Sequence, residues 1–413
     1  MDLRGLVVLD LSRILAGPYA TQLLADLGAT VWKVEPPRGD DTRGWGPPFA
    51  AGAPTGPGSG EPPPESRSAY FLSVNRHKRS LCIDLKHPRG AALVRRLALR
   101  SDVVVDNFKT GDLARFGLDP ETLRSERPDL VTCSITGFGQ TGPRAREPGY
   151  DAALQALSGV MAATGEPGGP PVKLPVAWID VLTGLHAAVA VLAALRARDA
   201  TGRGRHVDLS LLDVALASLV NQVQATLLTD EPPRRLGSAH PHIVPYQAFE
   251  AVDGAFVLAC GNDAQFARVA EVVGEPAWSS DPRFATNAAR VRHRETLVAS
   301  LAERFAREAR AAWVERLVAA GVPATPVLTL PEALAEPQVA ARGLVTTVVD
   351  PVAGPLRMLA SPFRDGALPP GPAPRLGEHG REVLRAALGL ADADVDDLVA
   401  CGAVVEPPAA PVG

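Results

Sequence analysis

An apolar block, Leu6-Val7-Val8-Leu9, is followed by a helix-spaced run and then by a second block, Thr30-Val31-Trp32-Lys33-Val34, and this alternation constrains the chain more than any other feature. The first block ends at Asp10-Leu11-Ser12. Pro18 stands where the first turn of a helix accepts a proline, Leu23, Leu24 and Leu27 continue at helical spacing, and Gly28 suits a C-cap. Strand, helix, strand in so short a unit implies a parallel pair in an open α/β sheet, whose ligands sit at the carboxyl ends of the strands. The pattern recurs: Leu81 to Leu85, Asp102 to Val105 and Leu130 to Ile135 read as strands, with helices expected over 88 to 100 and over Gly111 to Phe116. Four strand-to-loop junctions, at Leu15-Ala16, Val34-Glu35-Pro36, Asn107-Phe108 and Thr136-Gly137, then share one sheet edge, which is the candidate site. A single Gly17 follows the first strand in place of G-x-G-x-x-G, so a dinucleotide cofactor is not expected.

The chain has 413 residues, 46% of them hydrophobic and 21% charged, enough for a large core and more than one domain. The texture predicts a large α/β domain over 1–230, a smaller α/β domain over 231–330 and a segment over 331–413. The proline-basic linker Glu231 to Arg235 marks the first boundary, and the turn Asp253-Gly254 between two strand-like runs marks a hairpin in the small domain. Pro36 to Ser66, crowded with Gly, Pro and Ser, reads as a long loop. A formal net charge of -4 gives no reason to expect nucleic acid. The four cysteines form no C-x-x-C pair, so zinc is not expected and the thiols read as reduced. With no signal peptide and no apolar run near the length of a membrane span, the expectation is a soluble cytoplasmic protein.

Two clusters could carry chemistry. Asp180 precedes an apolar helical run from Val181 to Leu195 and stands where the N-cap is expected. There it would either simply cap the helix or, held ionised by unpaired N–H groups and the helix dipole, act as a nucleophile. His77, Lys78 and Arg79 place three donors before a strand, suited to phosphate or to a solvated basic turn.

The ordered pieces L-D-L-S-R-I-L-A-G-P at 9–18, L-G-A-T-V-W-K-V-E-P-P at 27–37, G-D-D-T-R-G-W at 39–45, N-R-H-K-R-S at 75–80, D-N-F at 106–108, S-I-T-G-F-G-Q-T-G-P at 134–143, G-Y-D at 149–151, W-I-D-V-L-T-G at 178–184, D-G-A-F-V-L-A-C-G-N-D-A-Q-F at 253–266 and G-E-H at 377–379 resemble the class III coenzyme A transferases nearly end to end. The resemblance implies a Rossmann-like large domain completed by the C-terminal segment and an interlocked homodimer. It also implies CoA transfer from a donor acyl-CoA, succinyl-CoA or similar, to a small carboxylic acid, with Asp180 as nucleophile. By the same resemblance the coenzyme contacts fall on Leu15, Ala16, Asn75, His77, Lys78, Arg79, Asn107, Phe108, Arg115, Ile135, Thr136, Gly137 and Phe138. No tightly bound cofactor or metal is implied; CoA and acyl-CoA are substrates.

Leu15 and Thr136 replace a glutamine and a lysine of formyl-CoA transferase, and its tetraglycine lid is absent around Gly237 to His242, which speaks against formyl or oxalyl transfer. The fold also resembles that of α-methylacyl-CoA racemases. Those place a histidine where this chain has Tyr150, and a phenol, ordinarily near pKa 10, is a poor exchange base. A non-catalytic CoA-binding subunit is a further alternative, against which the presence of Asp180 speaks. Oxyanion donors are expected near Gly261 and Asn262 or around Gln140. Asp263 reads equally as a turn former, and His240 and His242 as acceptor contacts or exposed loop residues.

Overall fold

A computed structural model describes residues 2–50, 67–363 and 367–407. Of the long loop expected over 36–66, residues 51–66 lie outside the described residues, as do residues 408–413 of the C-terminal tail. The chain divides into two compact units: residues 1–160, 173–230 and 340–413 form the first, and 161–172 with 231–339 the second. The boundaries depart from the sequence expectation at 161–172, which group with the small unit, and near 340, where the chain rejoins the large one.

The large unit opens with β1 (Val7–Asp10), α1 (Ala16–Asp26), β2 (Thr30–Glu35), α2 (Ala69–Val74), β3 (Arg79–Ile83), α3 (Pro88–Ala98), β4 (Val103–Asp106), α4 (Pro120–Glu126) and β5 (Val131–Thr136). It continues through α5 (Asp151–Leu157), after which the short α6 (Val160–Ala163) leads into the small unit, and resumes with α7 (Trp178–Thr201), β6 (His206–Ser210), α8 (Leu211–Ser218) and α9 (Val220–Thr229). Gly111 to Phe116 forms only a short 3-10 turn at Ala114–Phe116, closed by Gly117 in the left-handed region.

The small unit holds β7 (Tyr246–Ala251), β8 (Gly254–Ala259), α10 (Asp263–Val272), α11 (Asn287–Arg292), α12 (Arg294–Phe305), α13 (Arg310–Ala319), β9 (Ala324–Pro326), α14 (Leu330–Leu334) and α15 (Pro337–Ala341), the last running into residue 340. Its three strands pair antiparallel in the order β7-β8-β9 over a core that includes Phe256, Phe266, Leu301, Phe305 and Trp313. The hairpin turns at Asp253-Gly254, and Gly254 has φ +131, a conformation that L side chains rarely adopt. The chain then adds the hairpin β10 (Val345–Asp350) and β11 (Gly354–Leu359), α16 (Gly380–Leu388), α17 (Asp392–Ala400) and β12 (Val404–Val405) to the large unit.

The seven-stranded sheet runs β12-β3-β2-β1-β4-β5-β6, with every pair parallel except β12 against β3. The β1 to β6 part has the doubly wound order whose direction reverses between β1 and β4, and a ligand crevice forms where two outgoing loops part. One layer against the sheet contains α3, α16 and α17, and the other α1 and α7. The C-terminal segment is bound to β3: the Gly377 N–H donates to Ser80 Oγ at 2.9 Å and the His379 N–H to the Ser80 carbonyl at 2.9 Å.

Contrary to the sequence expectation, α7 is long and apolar enough to cross a membrane, with mean hydropathy 1.8 over 18 residues. Its face carrying Ile179, Thr183, Gly184, Ala187, Val191 and Leu195 is buried against α1 and the sheet, as in a core helix.

Candidate functional site

The reversal point is built on buried charge. Asp10, at the end of β1, accepts from Lys78 Nζ at 3.0 Å, from Thr21 Oγ1 at 2.6 Å and from Ser12 Oγ, while Lys33 Nζ reaches Asp40 at 2.9 Å and the Ser12 carbonyl at 3.0 Å. Burial opposes ionisation of Asp10, but Lys78 and Lys33 outweigh it and hold the carboxyl at about 2. Above this cluster runs the loop from Leu11 to Leu15. A side chain at Gly17 would collide with Ser12, so the loop can close onto α1 only around a glycine. Asn107 clamps the loop from β4: its Oδ1 accepts the Arg13 N–H at 2.9 Å and its Nδ2 donates to the Arg13 carbonyl at 2.7 Å. Ile14 has φ +71, unusual for a β-branched residue, and its N–H is held by the Asp40 carboxylate. Fixed in this way, Leu15 and Ala16 form one wall of a cavity.

Asp180 lines the same cavity. Helix α7 reaches the cavity because Gly184 lets it approach α1 closely; a Cβ there would sit 2.7 Å from the Ala16 carbonyl oxygen. The cavity, about 400 Å³, is lined by Arg13, Leu15, Ala16, Asn107, Phe108, Arg115, Ile135, Thr136, Gly137, Tyr150 and Asp180, among others. Gly137 and Gly149 touch backbone to backbone, which carries Tyr150 to the rim, where it is 69% exposed.

Asp180 is not the N-cap. Ala177 takes that position without a capping side chain, and Asp180 is the third residue of the first turn. The acceptor comes from α5: Asp151 Oδ1 receives the N–H groups of Ile179 at 2.8 Å and Asp180 at 3.2 Å. The expectation that the helix end holds Asp180 ionised is reversed. Burial, with Asp151 adding to it, pushes its carboxyl up to about 7.

A second cavity of about 400 Å³ shares Arg13, Phe108 and Arg115 with the first. Its walls are mainly apolar, from Val34, Pro36, Pro37, Leu85 and Phe116, and Arg38, Lys86 and Arg115 supply cations, the last lying 4.6 Å over the Phe116 ring. A flat ring system and anionic groups fit this combination. Arg13, Arg38 and Lys86 were not singled out in the sequence. Arg38 follows one of the four strand junctions, which was the available signal; Lys86 carries none.

Asn75, His77, Lys78 and Arg79 do not line either of these two cavities. Asn75 is buried and donates to the Phe71 carbonyl at 3.0 Å, His77 has φ +66 with its N–H on Pro372, Lys78 neutralises Asp10, and Arg79 pairs with Glu382 at 2.6 Å. Lys78 thereby ties the start of β3 to β1, and Arg79, in an exposed pair, ties β3 to α16. Phe138 lies under the Arg144 guanidinium at 4.1 Å. Gln140 is in a separate cavity of about 640 Å³ with Asp106, Ser134 and His206, and its N–H donates to Asp208 at 3.0 Å.

In the small unit the Gly261 N–H is taken by Gln265 Oε1 at 2.7 Å, Asn262 caps α10 through the Gln265 N–H at 2.9 Å, and Asp263 pairs with buried Arg290 at 2.7 Å. Thus the Gln140 and Gly261 N–H groups expected as oxyanion donors already have partners, and Asp263 secures the start of a helix. His240 stacks on Tyr246 at 5.4 Å, and the His242 N–H donates to His240 Nδ1 at 3.1 Å. Among the described residues no cluster of His, Cys, Asp and Glu has a metal-binding arrangement.

The family model for CoA-transferase family III matches residues 3–380. A succinate–glutarate CoA-transferase from Agrobacterium fabrum is 45% identical over 390 residues, covering 92% of this chain and 94% of its own. Succinyl-CoA:glutarate CoA-transferase from Mus musculus is 40% identical over 411 residues, 98% of this chain and 90% of its own. Among solved structures, a CAIB/BAIF family protein from Brucella suis superposes with a TM-score of 0.80 at 42% identity, covering 93% of this chain and 99% of that one.

Proposed function

The chain belongs to CoA-transferase family III, and on that footing we propose that it moves coenzyme A from succinyl-CoA to a small dicarboxylic acid such as glutarate, with Asp180 as the covalent carrier. The observation that carries the reading is one carboxyl, held at about 7, facing a cavity at the reversal point of the sheet. A nucleophile poised near neutrality is available in both forms at working pH.

A carboxylate oxygen of Asp180 attacks the thioester carbonyl; the C–S bond breaks and CoA thiolate leaves, giving an acyl-aspartyl anhydride. The thiolate attacks the aspartyl carbonyl, succinate departs, and an aspartyl-CoA thioester remains. The acceptor carboxylate attacks that thioester, releasing thiolate again, and thiolate attack on the acceptor's acyl carbon yields the new acyl-CoA and free Asp180. One thioester replaces another of similar energy. The apolar slot with Arg38, Lys86 and Arg115 supports binding of the nucleotide end of CoA, and Leu15, Ala16, Phe108 and Gly137 line the way to Asp180. Binding energy from that remote end then helps the chemistry at the thioester.

We also infer a homodimer. Exposed apolar side chains on α7 to α9, among them Val189 at 67% and Leu228 at 76%, support a self-association surface. The test of function is mass spectrometry after incubation with succinyl-CoA and trapping with hydroxylamine or borohydride. Wild-type protein should carry the modification on the peptide containing Asp180, and Asp180→Ala should carry none. A modification that persists in the variant refutes the assignment.

A further inference from the structure

A 24-residue helix begins with N–H groups that its own turns cannot satisfy, and in α7 the residue at the N-cap is an alanine. The start is secured from another element. Asp151 Oδ1 accepts from Ile179 and Asp180, its Oδ2 accepts from Gln155 Nε2 at 2.6 Å, and Gln155 Oε1 accepts the Leu174 N–H at 2.9 Å. Asp151 and Gln155 are both buried, one turn apart on α5. A single carboxylate therefore joins α5, the segment entering α7 and the turn that carries Asp180. The placement of α5 is in turn fixed by the backbone contact between Gly137 and Gly149.

We propose that Asp151 is a positioning residue for the nucleophile: by capping α7 in trans it sets the orientation of its first turn and so the aim of the Asp180 carboxyl into the cavity. The proposal deepens the reading of Asp180 as nucleophile and rests on it. Asp151 acts in two separable ways, as a hydrogen-bond acceptor for two N–H groups and as a negative charge beside Asp180. Tyr70 on α2 faces the same pair; its hydroxyl is pushed up to about 12 by burial and by the charges of Asp180 and Asp151. Arg13, Lys109 and Arg115, together with Asp41, Asp112 and Glu147, line the same cavity as Asp180.

The experiment compares Asp151→Asn, which keeps an acceptor oxygen and removes the charge, with Asp151→Ala, which removes both. Two readouts are used: steady-state transfer from succinyl-CoA across pH, and amide hydrogen exchange over the peptide from Leu174 to Leu185. In Asp151→Ala the Ile179 and Asp180 amides should exchange about tenfold faster, from the loss of their acceptor. The same variant should lose kcat by about a hundredfold with little change in KM for succinyl-CoA, as expected when a reacting group is misplaced by a fraction of its length. Asp151→Asn should keep wild-type protection and most of kcat at alkaline pH, with the acid limb of its profile moved to lower pH. Equal protection in wild type and Ala, or an Asn variant as impaired as Ala, overturns the proposal. If wild-type protein neither transfers CoA nor forms an adduct, the functional reading fails, and the exchange comparison still decides whether Asp151 holds the turn.

Discussion

Replacing the proposed nucleophile should make the protein more stable, in a way that depends on pH. The Asp180 carboxyl is raised from its ordinary 3.8 to about 7, by burial first and the Asp151 charge second. A carboxyl raised in the folded state favours the folded chain while it is protonated and penalises it once ionised. The penalty grows from about pH 4, where an unfolded carboxyl begins to lose its proton, and levels off above about pH 7. The rise is about 3 units, and at 1.36 kcal/mol per unit its ceiling is about 4 kcal/mol. Asp180 is only partly buried, so solvent screening reduces this, and about 1 to 2 kcal/mol is the expected gain for Asp180→Asn at pH 8. Denaturant titrations of wild type and variant at pH 4, 6 and 8 provide the assay. The variant's advantage should be largest at pH 8 and shrink towards pH 4, where the wild-type side chain is as neutral as asparagine. A variant no more stable than wild type at pH 8, or an advantage unchanged between pH 4 and 8, would show that Asp180 is an ordinary solvated carboxylate and refute the reasoning.

Gly137→Ala would place a Cβ 2.6 Å from the Gly149 Cα, a backbone atom with no rotamer to give, so a loss of about 1 to 3 kcal/mol is expected by chemical denaturation, together with slower turnover as Tyr150 and Asp151 shift. Lys78→Met strands Asp10 in the interior with one of its two cations gone; the expected cost is about 3 to 5 kcal/mol, read as a lower denaturation midpoint. If Lys78→Met instead leaves stability unchanged and raises KM for succinyl-CoA, then Lys78 binds phosphate after all.

The alternation of strand and helix was legible because its cause is local: apolar runs of a few residues can bury both faces only in a covered parallel sheet, and β1, α1 and β2 form within a few residues of where that rule puts them. The edge carrying the site followed from strand direction, and Leu15, Ala16, Asn107, Phe108, Thr136 and Gly137 all line the cavity with Asp180. Roles that depend on distant partners were not legible. Asp180 looked like a cap because capping is read from neighbours in sequence, whereas the acceptor for its own N–H lies 29 residues earlier. The basic run from His77 to Arg79 reads as a possible ligand site from its neighbours alone, whereas Asp10 and Glu382, the partners of Lys78 and Arg79, are 68 and 303 residues away in sequence. Conversely, Arg38 and Lys86 are unremarkable one at a time and acquire meaning only because β2 and β3 are adjacent parallel strands whose outgoing loops lie side by side. Cations that stand together in sequence are here divided among internal ion pairs, and those that can meet an anion are assembled by the sheet. For a parallel fold, the direction of a strand therefore says more about which charges reach a ligand than the clustering of charges along the chain does.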